Sequence, residues 1–374
     1  LKKHEDRMNN PGPQLVQTFW NYCDILRDDG LSCGVAEVER GGGVGSAGVR
    51  QPPARHPPSP VHSPKSLHRR TLLIMNTSEE SFTSWSKGPA DTEATKCENA
   101  ETAVRKAIAA DEKLAGLDIS VFAQGSYMAR TNVRQDSDVD ICVRYNSTFF
   151  PDYPDGKTKE SFGNVDGTMQ FADFKNMVEK ALKSYFGEPG VTRGIKAFDV
   201  HANSYRIDAD VVPTFEHRRY TGKQNAEGSW EYLSGVAFKP DNGGLIKNWP
   251  DQNYTNGVAR NNDTGRSYKR VIRILKRLRN KMQDEKIPES SNIASFLIEC
   301  LVWNAPPEAV QHDTYAAIVR HVLADVWNKT RKDEDCKEWG EVNELKYLFR
   351  SSQPWTREQV NKFLNAAWNY IGYT

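Results

Sequence analysis

Asp138 and Asp140 are the residues of this sequence whose type and spacing could most directly do chemistry. They stand two positions apart in the run DSDVDICV, where apolar and β-branched residues predict a strand. Successive side chains of a strand point to opposite sides, so the two carboxylates share one face. Paired like charges either stay solvated or bind a cation, and their oxygens suit Mg²⁺. Asp136 shares the alternation, but beside Ser137 it is more typical of a turn.

A second acidic run, SYRIDADVVPTF, offers candidates for a third carboxylate. Its alternation predicts a strand at 205–212 that places Arg206, Asp208 and Asp210 on one face. Any strand with one side in water shows the same alternation, so the run alone does not separate metal ligands from surface residues. Next to the first pair, a carboxylate from a neighbouring strand would complete a metal site. The spacing leaves Asp208 and Asp210 both open.

Gly125 and Ser126 follow a predicted strand at 119–123, and Ser126 precedes Asp140 by fourteen residues. Glycine lets backbone N–H groups approach a phosphate, and the serine hydroxyl adds a donor. A Gly-Ser pair by itself is usually only a turn. The full order of strand, Gly-Ser and Asp-x-Asp on a second strand is far more specific, and it predicts a triphosphate held beside the metal.

Residues 267–282 are predicted to form a helix with a dense basic surface. Val271, Leu275, Leu278 and Met282 recur at helical spacing and form an apolar seam. The rest of the surface is crowded with basic residues, and for most of them the pattern indicates a solvated face: Lys269, Arg270, Arg273, Lys276, Arg277, Arg279 and Lys281.

The elements that would position these residues fall into a mixed half and a helical half. In the first half, periodicity predicts helices at 92–114 and 169–186, and strands at 119–123, 139–145, 192–200 and 205–212. Beyond residue 261 the periodicity is helical, at 267–282, 292–304, 312–328 and 356–370. The sequence therefore predicts an α+β fold, with a mixed-sheet lobe at 75–260 and a helical lobe at 261–374.

Bulk composition restricts the class of protein. Lys and Arg number 50 against 49 Asp and Glu, a net charge of +1, so no global field favours long nucleic acid. The six cysteines form no C-x-x-C pair, which argues against a zinc site or a disulfide framework. No run approaches the ~20 apolar residues that span a bilayer. We expect a cytoplasmic protein with no membrane partner.

Residues 1–74 differ in composition from the rest of the chain. From 41 to 65 they are mostly Gly, Pro, Ser, Val, Arg and His, which favours disorder. The run LVQTFWNYCDILRDDGLSCG, within 8–34, resembles the start of type I restriction-modification methyltransferase subunits. We expect 1–74 to be an extraneous or disordered segment and Met75 to begin the natural protein; the alternative is a genuine helical arm.

The motifs QGSYMARTNVRQDSDVDICV and DADVVPTF resemble the Gly-Ser, Asp-x-Asp and third-aspartate motifs of the DNA-polymerase-β nucleotidyltransferase superfamily. Within it the chain is most similar to the bacterial CD-NTases, relatives of cyclic GMP-AMP synthase and oligoadenylate synthase. SYKRVIRILKRLRNKM and IASFLIECLVWNAP are similar to the helical second lobe, so the resemblance covers about residues 76–370. It implies a polymerase-β-like lobe with a mixed sheet, followed by a helical C-terminal lobe.

The resemblance also implies roles for particular residues. The family's third aspartate stands directly before two apolar residues and a proline, which selects Asp210 over Asp208. The lysine of the helical lobe reaches the nucleotide phosphates, and a serine opening the next helix contacts the nucleotide, although such a serine is more often only a cap. The catalytic and metal-binding set is then Asp138, Asp140 and Asp210, with two Mg²⁺ ions or Mn²⁺ in their place. The nucleotide-binding set is Gln124, Gly125, Ser126, Lys276 and Ser295.

By this resemblance the enzyme would convert ATP or other nucleoside triphosphates into a cyclic di- or trinucleotide that reaches a downstream effector in antiphage defence. A terminal nucleotidyltransferase acting on RNA, protein or a small molecule shares the same triad and is the competing interpretation. An inert nucleotide-binding or scaffold protein is a third. The neutral net charge and the lack of a recognisable RNA-binding module argue against a stable nucleic-acid partner.

Overall fold

The computed structural model describes residues 77–133 and 138–373. The expectations for residues 1–74, including the methyltransferase-like run at 8–34, lie outside the described residues, as do Asp136 and Ser137. Among the helices of the described ranges, none has the length and apolar character needed to cross a bilayer.

A seven-stranded mixed sheet forms the first half of the described chain. Its strands are β1 (Ile119–Ala123), β2 (Val139–Asp152), β3 (Val191–Arg193), β4 (Phe198–Val200), β5 (Ala209–Gln224), β6 (Trp230–Phe238) and β7 (Ile246–Asn248). β1 is antiparallel to β2, and β2 runs parallel to β5. The start of β5 pairs with β4, which pairs with β3, whereas the far half of β5 pairs with β6, which pairs with β7. The long strands β2 and β5 are therefore the centre of the sheet.

Helices cover the sheet and make up the second half of the chain. Those of the described residues are α1 (Glu79–Ser86), α2 (Asp91–Ala110), α3 (Glu112–Ala115), α4 (Gly125–Met128), α5 (Phe171–Phe186), α6 (Pro250–Asp263), α7 (Ser267–Asp284), α8 (Ser295–Asn304), α9 (Tyr315–Lys329) and α10 (Arg357–Ile371). The predicted lobe boundary at residue 260 falls inside α6 and stays a prediction.

One face of the sheet is apolar because β2 and β5 alternate in register. Val139 lies opposite Ala209, and Ile141 lies opposite Val211, with all four side chains buried. These residues share a core with apolar side chains of α2 and α5, which pack on this face. The other face of β2 must then carry the intervening positions, beginning with Asp140.

A second core joins α7 to α1, α8, α9 and α10. The predicted apolar seam of α7 is confirmed, because Val271, Leu275, Leu278 and Met282 are all buried in this core. α1 contributes a fully buried Phe82 and, at its start, the Glu79 carboxylate. That carboxylate accepts hydrogen bonds of 2.7 and 2.8 Å from the backbone N–H groups of residues 315 and 316, which open α9.

The prediction of one strand at 192–200 is wrong, because the chain turns inside it. Gly194 N donates to Ala197 O at 2.8 Å, which closes a hairpin between β3 and β4. The strand predicted at 205–212 begins only at Ala209. Before it, Asn203 Oδ1 accepts hydrogen bonds from the N–H groups of residues 205 and 206, both at 2.9 Å, which folds the chain into a turn.

The predicted helices are confirmed with changed boundaries. The helix at 92–114 stops at Ala110, and Asp111 Oδ1 caps a separate short helix, α3. The helix at 292–304 starts at Ser295, after a 3₁₀ turn at Pro288–Ser290. The strand at 119–123 has the predicted bounds, whereas β2 continues past residue 145 to Asp152.

Candidate active site

The register of the parallel strands β2 and β5 sets Asp140 directly beside Asp210. Neighbouring strands lie ~4.8 Å apart, and paired residues project to the same face, so the two carboxylates are neighbours. Asp138 is exposed immediately before β2. On the other side of β5, β4 sets Asp199 opposite Asp210, which adds a carboxylate that the sequence motifs did not indicate. An Asp between buried Phe198 and Val200 was its only signal.

The Asp208 carboxylate caps a turn, although its charge also raises the pKa of Asp138. Its Oδ1 accepts a 2.6 Å hydrogen bond from Ala202 N, and the residue lies before β5 rather than in it. The shared strand face expected for Arg206, Asp208 and Asp210 is therefore wrong. Arg206 is buried, and its guanidinium donates to the carbonyls of Val200 and His201. The structure thus favours Asp210 as the partner of Asp140.

Burial and mutual repulsion raise the pKa of these carboxyls. Burial, followed by the charges of Asp210 and Asp138, raises the pKa of Asp140 to about 7, while Lys276 acts in the opposite direction. Burial also raises the pKa of Asp210, with Asp138 and Asp199 as further causes. The pKa of Asp138 is also raised, by partial desolvation and by the charges of Asp208 and Asp199. A bound cation would relieve both the desolvation and the repulsion.

The donor set suits a hard divalent cation, because carboxylate oxygens are its preferred ligands and no thiol or imidazole belongs to the group. Within residues 77–133 and 138–373, no three Asp, Glu, His or Cys side chains already stand in the geometry of a formed metal site. The carboxylates are grouped on one face of the sheet, and their binding of a metal stays a prediction.

Gly125 packs against the carboxylate of Asp140. Its φ is +64°, and a methyl group there would collide with Oδ2 of Asp140 and lie 3.0 Å from Cγ, so the position requires glycine. Gln124 N donates to Asp140 O at 2.8 Å, which joins the turn to β2. The Ser126 carbonyl accepts hydrogen bonds of 2.9 and 3.2 Å from the N–H groups of Thr131 and residue 132. Gln124, Gly125 and Ser126 therefore lie beside Asp140, as the motif predicts.

Lys276 is not part of a solvated basic face. The residue is 1% exposed, and its Nζ donates to Glu299 Oε1 at 2.6 Å and to the Thr131 carbonyl at 3.1 Å. Glu299 Oε1 also accepts a 2.7 Å hydrogen bond from Thr131 Oγ1. This buried network ties α7 and α8 to the end of the Gly-Ser turn. The expectation of a solvated face also fails for Lys269 and Arg279, because the body of the protein covers them.

Ser295 is the first residue of α8, and its Oγ accepts a 2.9 Å hydrogen bond from Arg279 Nη2. The roles of Lys276 and Ser295 as nucleotide contacts stay predictions. Sequence reasoning missed Glu299 and Thr131. The signal for Glu299 was a lone acid inside the apolar run FLIECLV, a pattern typical of a buried, paired carboxylate.

Comparisons with known proteins add independent information. A family model for the C-terminal helical domain of cGAS/DncV-like nucleotidyltransferases matches residues 255–372. A cyclic dipyrimidine nucleotide synthase CdnE from Cecembia lonarensis is 43% identical over 296 residues, covering 79% of this chain and 98% of that protein. One from Legionella pneumophila is 44% identical over 295 residues, covering 78% and 97%. The solved structure of an Elizabethkingia meningoseptica CdnE cyclic dinucleotide synthase with GTP and Apcpp matches with a TM-score of 0.66 and 33% identity, covering 80% of this chain and all of that one.

Proposed function

Because the chain belongs to the family of cGAS/DncV-like nucleotidyltransferases, we propose that it condenses two nucleoside triphosphates into a cyclic dinucleotide with pyrimidine bases. The observation that carries the proposal is the register that sets Asp140 beside Asp210, next to the Gly125 turn. The two relatives identical at 43 and 44% support the base class, since both are cyclic dipyrimidine nucleotide synthases. We further propose that the product is a second messenger of cytoplasmic antiphage defence and acts on a separate effector.

Asp138, Asp140 and Asp210 would hold two Mg²⁺ ions, which Mn²⁺ could replace. When bound, such ions lower the pKa of an attacking hydroxyl and stabilise the departing pyrophosphate. Asp210, on the neighbouring strand, is assigned to the attacking hydroxyl. Gly125 leaves room for the triphosphate beside Asp140, and the small polar side chain of Ser126 adds a donor.

Each transfer forms one bond and breaks one. The ribose hydroxyl of one nucleotide attacks the α-phosphorus of the other, loses its proton, and displaces pyrophosphate by cleavage of the bond between the α- and β-phosphates. The linear product retains one triphosphate and one free hydroxyl. A second attack, by that hydroxyl on the remaining α-phosphorus, closes the ring and releases a second pyrophosphate.

The test is to incubate the purified protein with Mg²⁺ and all four nucleoside triphosphates, one labelled at a time, without primer. We expect a small, phosphatase-resistant product labelled from UTP or CTP. Label that enters only added RNA or protein would overturn the proposal in favour of terminal transfer. A resistant product made from purines alone would overturn the base assignment only.

The matched control pairs two charge deletions. The double variant Asp138→Ala, Asp140→Ala should abolish the product and leave the fold intact, because removing clustered like charges relieves their repulsion. Asp155→Ala, at an exposed position outside the site, should leave synthesis unchanged. Unchanged synthesis by the double variant would refute the metal assignment.

A further inference from the structure

Lys269 is a buried cation that pairs with no carboxylate among the described residues. It lies on the first turns of α7, and the residue is 8% exposed. No carboxylate or carbonyl of the residues that the structure describes accepts a hydrogen bond from its Nζ. Its Nζ lies over the ring of Tyr254 on α6, 5.7 Å from the ring centroid. Such a contact offsets only part of the cost of desolvating an ammonium group.

Lys269 shares a helix face with two other basic residues. Lys269, Arg273 and Lys276 recur at intervals of four and three, so they lie along one side of α7. Arg273 donates to the carbonyls of Ser86 at 2.6 Å and Arg130 at 2.7 Å, and Lys276 donates to Glu299 and the Thr131 carbonyl. The face therefore meets the segment that follows the Gly-Ser turn. Its other two basic residues have acceptors there.

The surroundings of Lys269 penalise its charge. Burial, followed by the charges of Arg130 and Arg273, lowers the pKa of Lys269 to about 8, and Glu299 offsets this only in part. Among the described residues, Glu299 is the carboxylate that favours the charged form of Lys269, and it is already bonded to Lys276. An anion with several charges would supply further negative charge.

We infer that Lys269 Nζ binds the triphosphate of a substrate nucleotide. The inference rests on the proposed function, which supplies the anion, and it adds a residue that the motifs did not assign. Lys276, by contrast, already has a full set of acceptors inside the protein, so it would have to exchange them to reach a phosphate. Lys269 has no such bond to break, and an ammonium group suits a phosphate as a point charge.

The experiment measures binding of a non-hydrolysable pyrimidine nucleoside triphosphate, with Mg²⁺, to the full chain by calorimetry. Lys269→Met keeps the length and apolar stem of the side chain but removes the charge, and we expect affinity to fall about tenfold or more. Lys269→Arg should retain part of the affinity, because the positive charge remains. The matched control is Arg270→Met, the exposed neighbour on the same helix, which should bind within about twofold of the natural protein.

A second readout separates ligand binding from a structural role. Without ligand, Lys269→Met should unfold at the same temperature or higher, because it removes an uncompensated buried charge. In the synthesis assay its KM should rise while kcat changes little. A lower unfolding temperature with unchanged affinity would overturn the inference. If the natural protein itself binds no nucleoside triphosphate, the proposed function fails, and the inference fails with it.

Discussion

Two charged regions lie near the Gly-Ser turn and the segment that follows it. One is formed by Asp140 and Asp210 on the sheet, and the other by Lys269 and Lys276 on α7. On the sheet, the half-buried carboxylates face each other, and burial and repulsion raise their pKa values. On the helix, Lys276 is paired with Glu299, whereas Lys269 has no counterion among residues 77–133 and 138–373, and its pKa is lowered, mainly by burial. The regions thus carry opposite charges, and each retains charge that the protein does not compensate.

The difference between them lies in how much of each is already paired. The charge of Lys276 opposes the raised pKa of Asp140 only in part, so the sheet region retains negative charge that a cation from solution would balance. The helix region combines one satisfied lysine with one unsatisfied lysine. Charge alone therefore does not identify a ligand-binding residue, because a buried charge with a complete set of partners has a structural role instead.

The largest expected effect is a difference in synthesis rate between substitutions at Asp210 and at Asp208, the two aspartates of the second acidic run. Asp210→Asn should lower cyclic dinucleotide synthesis by about a thousandfold or more, because a carboxylate beside Asp140 would be lost from the metal-binding set. Asp208→Asn should stay within about threefold of the natural rate, since an amide oxygen can still accept the hydrogen bond from Ala202 N. Initial rates with Mg²⁺ and labelled nucleotides measure both, and the reverse order of the two rates would contradict the site.

The second prediction concerns the paired lysine. Lys276→Met should reduce the free energy of unfolding by about 3–5 kcal/mol, because it leaves the buried Glu299 carboxylate without its cation. Urea denaturation of the ligand-free protein measures the loss. Adding Glu299→Leu to the first change should recover part of the stability, since the double variant buries no charge at this place. A single variant within about 1 kcal/mol of the natural protein would show that the pair is not structural.

The third prediction tests the contact between the turn and the sheet region. Gly125→Ala should cost about 1–3 kcal/mol in folding free energy, because φ is +64° and the new methyl group would displace the Asp140 carboxylate. Thermal unfolding measures the cost, and synthesis should fall with it. Gly116→Ala is the control, because its φ is −87° and a methyl group there meets open space. Equal unfolding temperatures for the two variants would be inconsistent with the close approach at Gly125.

The smallest effect is a pH dependence of the unpaired lysine. The pKa of Lys269 is about 8 in the folded protein and 10.5 in the unfolded chain. Its charge therefore lowers the free energy of unfolding at any pH where the lysine is charged in both the folded and the unfolded state. The stability advantage of ligand-free Lys269→Met should therefore be greatest below pH 8 and disappear as pH rises from 8 towards 10.5. Burial also lowers the pKa of Arg273 to about 10, so the comparison is made in the lower part of this interval, where Arg273 keeps its charge. A constant advantage across the series of urea titrations would contradict the assigned cause.

Much of the fold and of the carboxylate pair could be predicted because the relevant signals are local. The alternation in Val139–Asp152 fixes which face Asp140 occupies, and the strand at 119–123 has the bounds that its β-branched run indicates. The start of the strand in the second acidic run was predicted too early. Asn203 Oδ1 accepts hydrogen bonds from two backbone N–H groups there, and the alternation of residues does not show that a side chain replaces the strand partner.

The partners of the basic helix were not predictable, because they come from distant parts of the chain. Helical periodicity placed Lys276 opposite the apolar seam, where a solvated charge is the usual outcome. Only the approach of Thr131 and Glu299 from other elements buries it. The same holds for Asp199, which reaches the site through the pairing of β4 with β5, and for Lys269, which α6 covers through Tyr254.

A crystal structure with Mg²⁺ and a non-hydrolysable pyrimidine nucleoside triphosphate tests the central claim most directly, because it locates the metal and the triphosphate together. We expect Mg²⁺ bonded to oxygens of Asp138, Asp140 and Asp210 at about 2.0–2.1 Å. We expect a phosphate oxygen within about 3 Å of Lys269 Nζ. A triphosphate bound away from the Gly125 turn, or a metal held without Asp140 and Asp210, would contradict the account.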